Sequence, residues 1–147
     1  MVFPGGNGNY LDVGEKIFKK VKEFNDNGQF YPLFGICQGY EYLSIYTSDL
    51  QKDVLQDFVL MRTSIPVEFT KDTSETLMFS EFTQDEIEIF ESKNVTFNAH
   101  NFAIGPDVFK IDDGLREFWD VTSVSYMPDG RPFVASVEAK DYPIFAT

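Results

Sequence analysis

Cys37 is the side chain in this 147-residue sequence whose type and spacing best suit chemistry. It is the chain's one cysteine and sits in Gly35-Ile36-Cys37-Gln38-Gly39. A nucleophile bracketed by glycines two residues to either side is the pattern of a strand-to-helix elbow, with Cys replacing Ser. Glycines there let the chain turn sharply. The turn lifts the side chain above the carboxyl edge of a sheet, where ligands bind in open α/β folds. A helix beginning just after Cys37 brings its positive end near the sulfur and favours the thiolate, the nucleophilic form. The same five residues also fit a buried cysteine in a tight turn. A cysteine nucleophile needs a base that later protonates the leaving amine. Within these residues His100 is the one imidazole able to serve.

The elements that must position Cys37 follow from hydrophobic periodicity. Tyr31 to Phe34 is a short apolar run, the mark of a buried strand. Tyr40 to Tyr46 reads as the helix behind the elbow, with Tyr40 and Leu43 inward. Upstream, Leu11, Gly14, Ile17, Phe18, Val21 and Phe24 share one helical face. Asp12 with Glu15 resembles a capping pair at its start, and Asn25-Asp26-Asn27-Gly28 stops it. Val2 and Phe3, ahead of Pro4-Gly5-Gly6-Asn7-Gly8-Asn9, read as the end of a strand entering a loop. Strand, helix, strand, helix predicts an α/β fold with a parallel sheet. Further on, Val67 and Phe69 alternate with polar residues, and Thr83 with Glu86 opens a short acidic helix through Phe90. Val95, Phe97 and Ala99 alternate again, which assigns them to the core and puts Asn98 and His100 on the opposite face. Leu115 to Trp119 is a helical turn. Val121 to Tyr126 and Phe133 to Val137 flank Pro128-Asp129-Gly130 as a β-hairpin. Tyr142 to Ala146 begins another apolar strand. No repeat or linker interrupts residues 1–147, which read as a single domain.

Composition narrows the function. A net charge of −12 argues against nucleic acid, which needs a basic face, and against an anionic membrane surface. Hydrophobic residues make up 43% of the chain, with sixteen Phe and seven Tyr, so a packed core is expected. No stretch approaches the roughly 18 apolar residues of a membrane span, and residues 1–10 carry no signal-peptide pattern. One Cys leaves no intrachain disulfide and no cysteine zinc cluster. With one His as well, neither a metal nor a cofactor is expected.

Several segments taken in order carry a resemblance. They are Phe3-Pro4-Gly5-Gly6, the run Pro32 to Ser44 around the elbow, Asn98-Ala99-His100, the run Phe133 to Glu138, and Tyr142-Pro143-Ile144. This series resembles the γ-glutamyl hydrolases, within the class I glutamine amidotransferase-like superfamily. The likeness runs almost end to end and is strongest at residues 2–6, 30–44 and 133–145. Glu41, four residues after Cys37, favours the hydrolases over the amidotransferases, which commonly carry Gln there. The resemblance implies a three-layer, flavodoxin-like sandwich with a mainly parallel sheet. It implies that Cys37 attacks a γ-amide carbonyl to form a thioester. Backbone N–H groups of Gln38 and of the Gly5-Gly6 turn would hold the oxyanion, and Glu41 and His100 would line the substrate site. The implied substrates are small molecules, namely folate poly-γ-glutamates or γ-glutamyl peptides, with no cofactor. The implied location is lysosomal, vacuolar or extracellular, with which the glycosylation sequon Asn94-Val95-Thr96 is compatible.

The sequence departs from the family in one respect. The family's base is a His in a Gln-x-His-Pro-Glu segment directly after the strand that Tyr142 to Thr147 resembles, and the sequence stops ahead of it. The chain therefore reads as an internal piece with little activity alone. Its unpaired sheet edges are expected to favour association, up to a homodimer. Two other readings stand beside the hydrolase: a glutamine amidotransferase domain, and a catalytically dead binding or interaction protein with the same fold. Poly-γ-glutamates are polyanions and this chain is acidic, so binding them requires a local cationic pocket drawn from its twelve Lys and Arg.

Overall fold

The computed structural model describes residues 1–147, as one six-stranded sheet, one two-stranded ribbon and five α-helices. Strand β1 (Val2–Phe3) leads through the glycine-rich loop to helix α1 (Leu11–Asp26). Strand β2 (Leu33–Gly35) runs into helix α2 (Gln38–Thr47). Strands β3 (Gln56–Ile65) and β4 (Glu68–Phe69), helix α3 (Gln84–Ser92) and strand β5 (Thr96–Ala103) follow. Helices α4 (Pro106–Ile111) and α5 (Asp113–Phe118) then lead to strands β6 (Trp119–Tyr126), β7 (Pro132–Ala139) and β8 (Ile144–Ala146).

The large sheet has the order β1-β2-β8-β7-β6-β4. It is α/β, as expected, but mixed where a mainly parallel sheet was expected. The pairings β1–β2 and β2–β8 are parallel, whereas β8–β7, β7–β6 and β6–β4 are antiparallel. The cause is local. Pro128-Asp129-Gly130 closes a tight hairpin, with Gly130 at φ 85° and its N–H donating to the Met127 carbonyl (2.8 Å). A hairpin this short can only join antiparallel strands. Parallel order survives where helix α1 supplies the crossover between β1 and β2.

The core sits against the middle of the sheet. Leu33, Leu43, Leu115, Val137 and Ile144 are fully buried, and Phe18 and Val21 bring α1 onto them. Trp119 donates its indole N–H to Thr47 Oγ1 (2.8 Å), tying the end of α2 to β6. Asp112, only 2% exposed, binds the same region: it accepts from Ser48 Oγ (2.6 Å) and from the N–H groups of Leu115 (2.7 Å), Leu50 (3.1 Å) and Asp49 (3.3 Å). Burial pushes the Asp112 carboxyl up, but these hydrogen bonds outweigh it and hold the group below the usual carboxylate range. Thr83 and Glu86 form the expected capping box at α3, which extends to Ser92. The expected pairing of Asp12 with Glu15 does not form. Helix α1 starts at Leu11 with Tyr10 in the N-cap position and no side-chain cap, so Asp12 falls inside the first turn instead of at the cap.

Strand β3 carries no clear signal in the sequence. It pairs antiparallel with β5 in a bulged ribbon, with Arg62 at φ 52°. Phe58, Leu60 and Ala103 of the ribbon pack with Met127 and Phe133 as a second, smaller core. Here the expected facing of β5 is reversed. Val95 and Phe97 are 48% and 66% exposed, and His100 sits on the inward side, paired with Leu60 and edge-on to the Phe133 ring at 5.2 Å. Alternation in a ribbon gives the period of two but does not say which set of residues faces a neighbouring sheet.

Candidate active site

Cys37 is the second residue of the two-residue turn, Ile36–Cys37, between β2 and α2, with φ 51° and ψ −110°. This conformation is sparsely populated for a residue with a side chain and costs on the order of 1–3 kcal/mol. The surroundings hold it there. Its N–H donates to the Thr147 carbonyl (2.7 Å), Gly39 N–H to the Ile36 carbonyl (2.8 Å), and Glu41 N–H to the Cys37 carbonyl (3.0 Å). The left-handed backbone falls on the cysteine itself rather than on the two glycines expected to supply the turn. What the glycines provide is close approach. A Cβ on Gly39 would overlap the Phe3 carbonyl, and one on Gly35 would lie 2.6 Å from Leu43 Cδ1 and 3.0 Å from the Gly39 carbonyl group.

Gly5 stands over the cysteine. A Cβ there would lie 3.1 Å from Cys37 Cβ and 3.7 Å from Sγ. Gly6 follows at φ 132°, which an L side chain rarely adopts. The backbone N–H groups of Gly5, Gly6 and Gln38 donate to no backbone acceptor in the chain, whereas that of Cys37 is already used. Donors close to a sulfur and unspent on the fold can receive developing negative charge on a reacting carbonyl.

Cys37 opens onto a cleft with about 160 Å³ of free space, lined along one side by strand β5. Ile36, Phe97, Phe102, Ile104, Phe133 and Val134 form most of its wall, and Glu41, Asn98 and His100 line it with Cys37. Burial raises the Glu41 carboxyl above its ordinary value. Burial lowers the His100 imidazole, and hydrogen bonding with the Phe58 backbone pulls the other way. The ring is thus neutral near pH 7. Tyr10 stands close by and is pushed up to about 12, first by burial and then by the charges of Tyr42, Cys37 and Glu41.

The structure thus brings Cys37, Glu41 and His100 to one cleft, with Gly5 against the sulfur. Asn94 lies apart on an exposed turn between α3 and β5. The cationic pocket expected for a polyanion is not in this cleft: none of its lining residues is Lys or Arg. Sequence reasoning passed over Tyr40 as a cleft residue and left Thr96 in the sequon alone, yet both line the cleft. No signal in the sequence distinguished Tyr40 from Ser44 on the same helix face, or marked Thr96 beyond the sequon.

A cysteine held strained at a strand-to-helix turn, at the carboxyl end of parallel strands and facing an apolar cleft, marks an α/β protein with a candidate site at its sheet edge. No family model matches the chain. Curated proteins do: "Probable gamma-glutamyl hydrolase 3" of Arabidopsis thaliana is 32% identical over 99% of this chain and 42% of its own length. "Gamma-glutamyl hydrolase" of Rattus norvegicus is 30% identical over 99% of the chain and 47% of its own length. "Gamma-glutamyl hydrolase B" of Dictyostelium discoideum is 31% identical over 93% and 39%. The chain is homologous to the γ-glutamyl hydrolases over nearly its whole length, and it spans less than half the length of these relatives.

Proposed function

We propose that this chain carries the nucleophile half of a site that hydrolyses γ-glutamyl amide bonds. The Cys37 thiol gives up its proton and attacks the γ-carbonyl carbon as the thiolate, the C–N bond breaks, and the amine leaves carrying that proton. Water then cleaves the thioester and restores the thiol. The observation that carries the reading is the strained Cys37 backbone beneath Gly5, next to unspent N–H groups of Gly5, Gly6 and Gln38. Those donors are the oxyanion hole of the proposal. Glu41 and His100 bind and orient the substrate. The surrounding architecture in this reading is the three-layer amidotransferase-like sandwich. Small γ-glutamyl peptides or folate poly-γ-glutamates are the substrate class, and passage through a lysosomal, vacuolar or secretory route fits the sequon at Asn94. No helix is long and apolar enough to cross a membrane.

One observation favours His100 as the base instead: it is a neutral imidazole in the same cleft as the sulfur. Two experiments separate these readings. The electrophilic glutamine analogue 6-diazo-5-oxo-L-norleucine should add covalently to Cys37, seen as a single mass shift lost in Cys37→Ser. Absence of that adduct refutes the nucleophile. Replacing His100 with Asn should slow the adduct by less than about tenfold if it positions substrate, and by roughly 10²-fold or more if it is the base.

A further inference from the structure

Two of the three proposed oxyanion donors, the Gly5 and Gly6 N–H groups, ride on a loop that the backbone itself does not hold. Residues 4–9 make no backbone–backbone hydrogen bond. Two tyrosine hydroxyls fasten them instead. Tyr10 OH donates to the Pro4 carbonyl (2.8 Å) and Tyr42 OH to the Gly8 carbonyl (3.1 Å). One anchor thus falls just before Gly5-Gly6 and the other two residues after. Gln38 Nε2 in turn donates to Tyr42 OH (3.2 Å), so Tyr42 ties the loop to the residue that supplies the third donor. The Tyr10 and Tyr42 rings meet edge to face at 4.7 Å, and Phe3 of β1 meets Tyr10 in the same manner at 5.9 Å.

We propose that Tyr10 and Tyr42 are positioning residues of the Cys37 site, their hydroxyls pinning the glycine loop so that its N–H groups meet the oxygen of an acyl group on the sulfur. The inference rests on the reading of Gly5, Gly6 and Gln38 as oxyanion donors and names what holds them in register. Such donors act only when already aimed, and a misplacement of about 1 Å can cost roughly 10²-fold. Glycine at positions 5, 6 and 8 leaves this loop more backbone freedom than most, so without an anchor it has many conformations to lose. Both anchoring bonds are solvent-exposed. Water can therefore replace each hydroxyl on its carbonyl at little cost to the fold, but water does not restore the position of the loop. Tyr46, one turn beyond Tyr42 on α2, is the internal control. Its hydroxyl donates to a carbonyl in the same way (2.8 Å), but to Leu11 at the start of α1, outside the loop.

The test compares two reactions of the same sulfur in the full chain, each corrected by the rate of the Cys37→Ser protein. The Cys37 thiolate attacks the carbonyl carbon of 4-nitrophenyl acetate; a thioester forms, 4-nitrophenolate leaves, the thiol proton passes to solvent, and an oxyanion develops on the way. With iodoacetamide the thiolate displaces iodide at a saturated carbon, and no oxyanion develops. Tyr10→Phe and Tyr42→Phe should each slow acylation about 3–10-fold, the equivalent of one neutral hydrogen bond. The double variant should lose more, up to the roughly 10²–10³-fold of a missing donor. Alkylation should stay within about twofold of the parent throughout. Tyr46→Phe should lower Tm and keep both rates. Parent-like acylation in the double variant overturns the inference, as does an equal slowing of acylation and alkylation, or a loss in Tyr46→Phe that matches Tyr42→Phe. In those cases the γ-glutamyl reading stands as long as 6-diazo-5-oxo-L-norleucine still labels Cys37. A parent acylated no faster than Cys37→Ser removes the oxyanion reading and this inference together.

Discussion

Replacing Gly39 with alanine drives a methyl group into the Phe3 carbonyl oxygen and leaves it 2.8 Å from the carbonyl carbon and 2.9 Å from Phe3 Cβ. Carbon atoms pack comfortably at about 3.5–4.0 Å, so α2 and β1 must part by roughly 0.7–1 Å. Neither side can yield by rotating a side chain, because the obstacle is backbone. Overpacking of this kind costs about 1–3 kcal/mol. The Phe3 carbonyl also accepts the Ile36 N–H at 3.0 Å, and weakening that bond adds about 1 kcal/mol. Against this, alanine gains up to about 1 kcal/mol over glycine in a helix. The net expectation is a loss of about 2 kcal/mol, or roughly 4–8 °C in Tm for a chain of this length. Urea unfolding followed by the fluorescence of Trp119, the chain's one tryptophan, 2% exposed, measures it directly. A Gly39→Ala protein as stable as the parent would refute the claim that this glycine exists for close approach.

Gly5→Ala should behave in the opposite way: its Cβ meets only ordinary or slightly tight contacts, so stability falls by less than about 1 kcal/mol. Alkylation of Cys37 by iodoacetamide should nonetheless slow several-fold, and an unchanged rate would place Gly5 away from the path to the sulfur. Asp112→Ala removes an acceptor from four donors, of which only the Leu50 N–H keeps a second one at Ser48 Oγ, and should cost about 2–4 kcal/mol by urea unfolding. Because the folded carboxyl titrates below its ordinary range, its contribution is present above pH ~4 and lost as pH falls below that, so parent and variant stabilities should converge in acid. His100 is held neutral by burial, its folded value lying below the ordinary one. Its contribution is therefore present above the unfolded value of about 6.5 and is lost as pH falls through and below it. The stability difference between parent and His100→Gln should shrink from pH 7.5 to 5, and a constant difference would contradict the burial. Glu41, raised by burial, is common to both proteins and cancels in that difference.

Features whose hydrogen bonds close within a few residues were legible in the sequence. The Thr83–Glu86 capping box, the hairpin at Pro128-Asp129-Gly130, and the passage from strand to helix through Cys37 all belong here. Each depends on side chains or turns that satisfy their own neighbours. Even the elbow was only partly legible. Its glycines were visible, but that they admit Phe3 and Leu43 while Cys37 takes the strained dihedral depends on where β1 and α2 meet.

What lay beyond the sequence depends on what stands opposite each strand. The hydrophobic pattern of β5 carried the right period and the wrong sign. Phe97 stays largely exposed at the cleft while His100 packs inward, because Leu60 and Phe133 stand beside His100. Strand β3 was unreadable because its bulges break the alternation that would have marked it. The cleft itself is assembled from α2, β5 and β7, elements nearly a hundred residues apart. By itself the sequence determined the local turns, caps and the α/β alternation near its start, because short-range sterics and hydrogen bonds suffice there. Only the tertiary structure decided the mixed sheet, the facing of His100 and the company kept by Tyr40 and Thr96, because burial is a property of the partner surface and not of the residue.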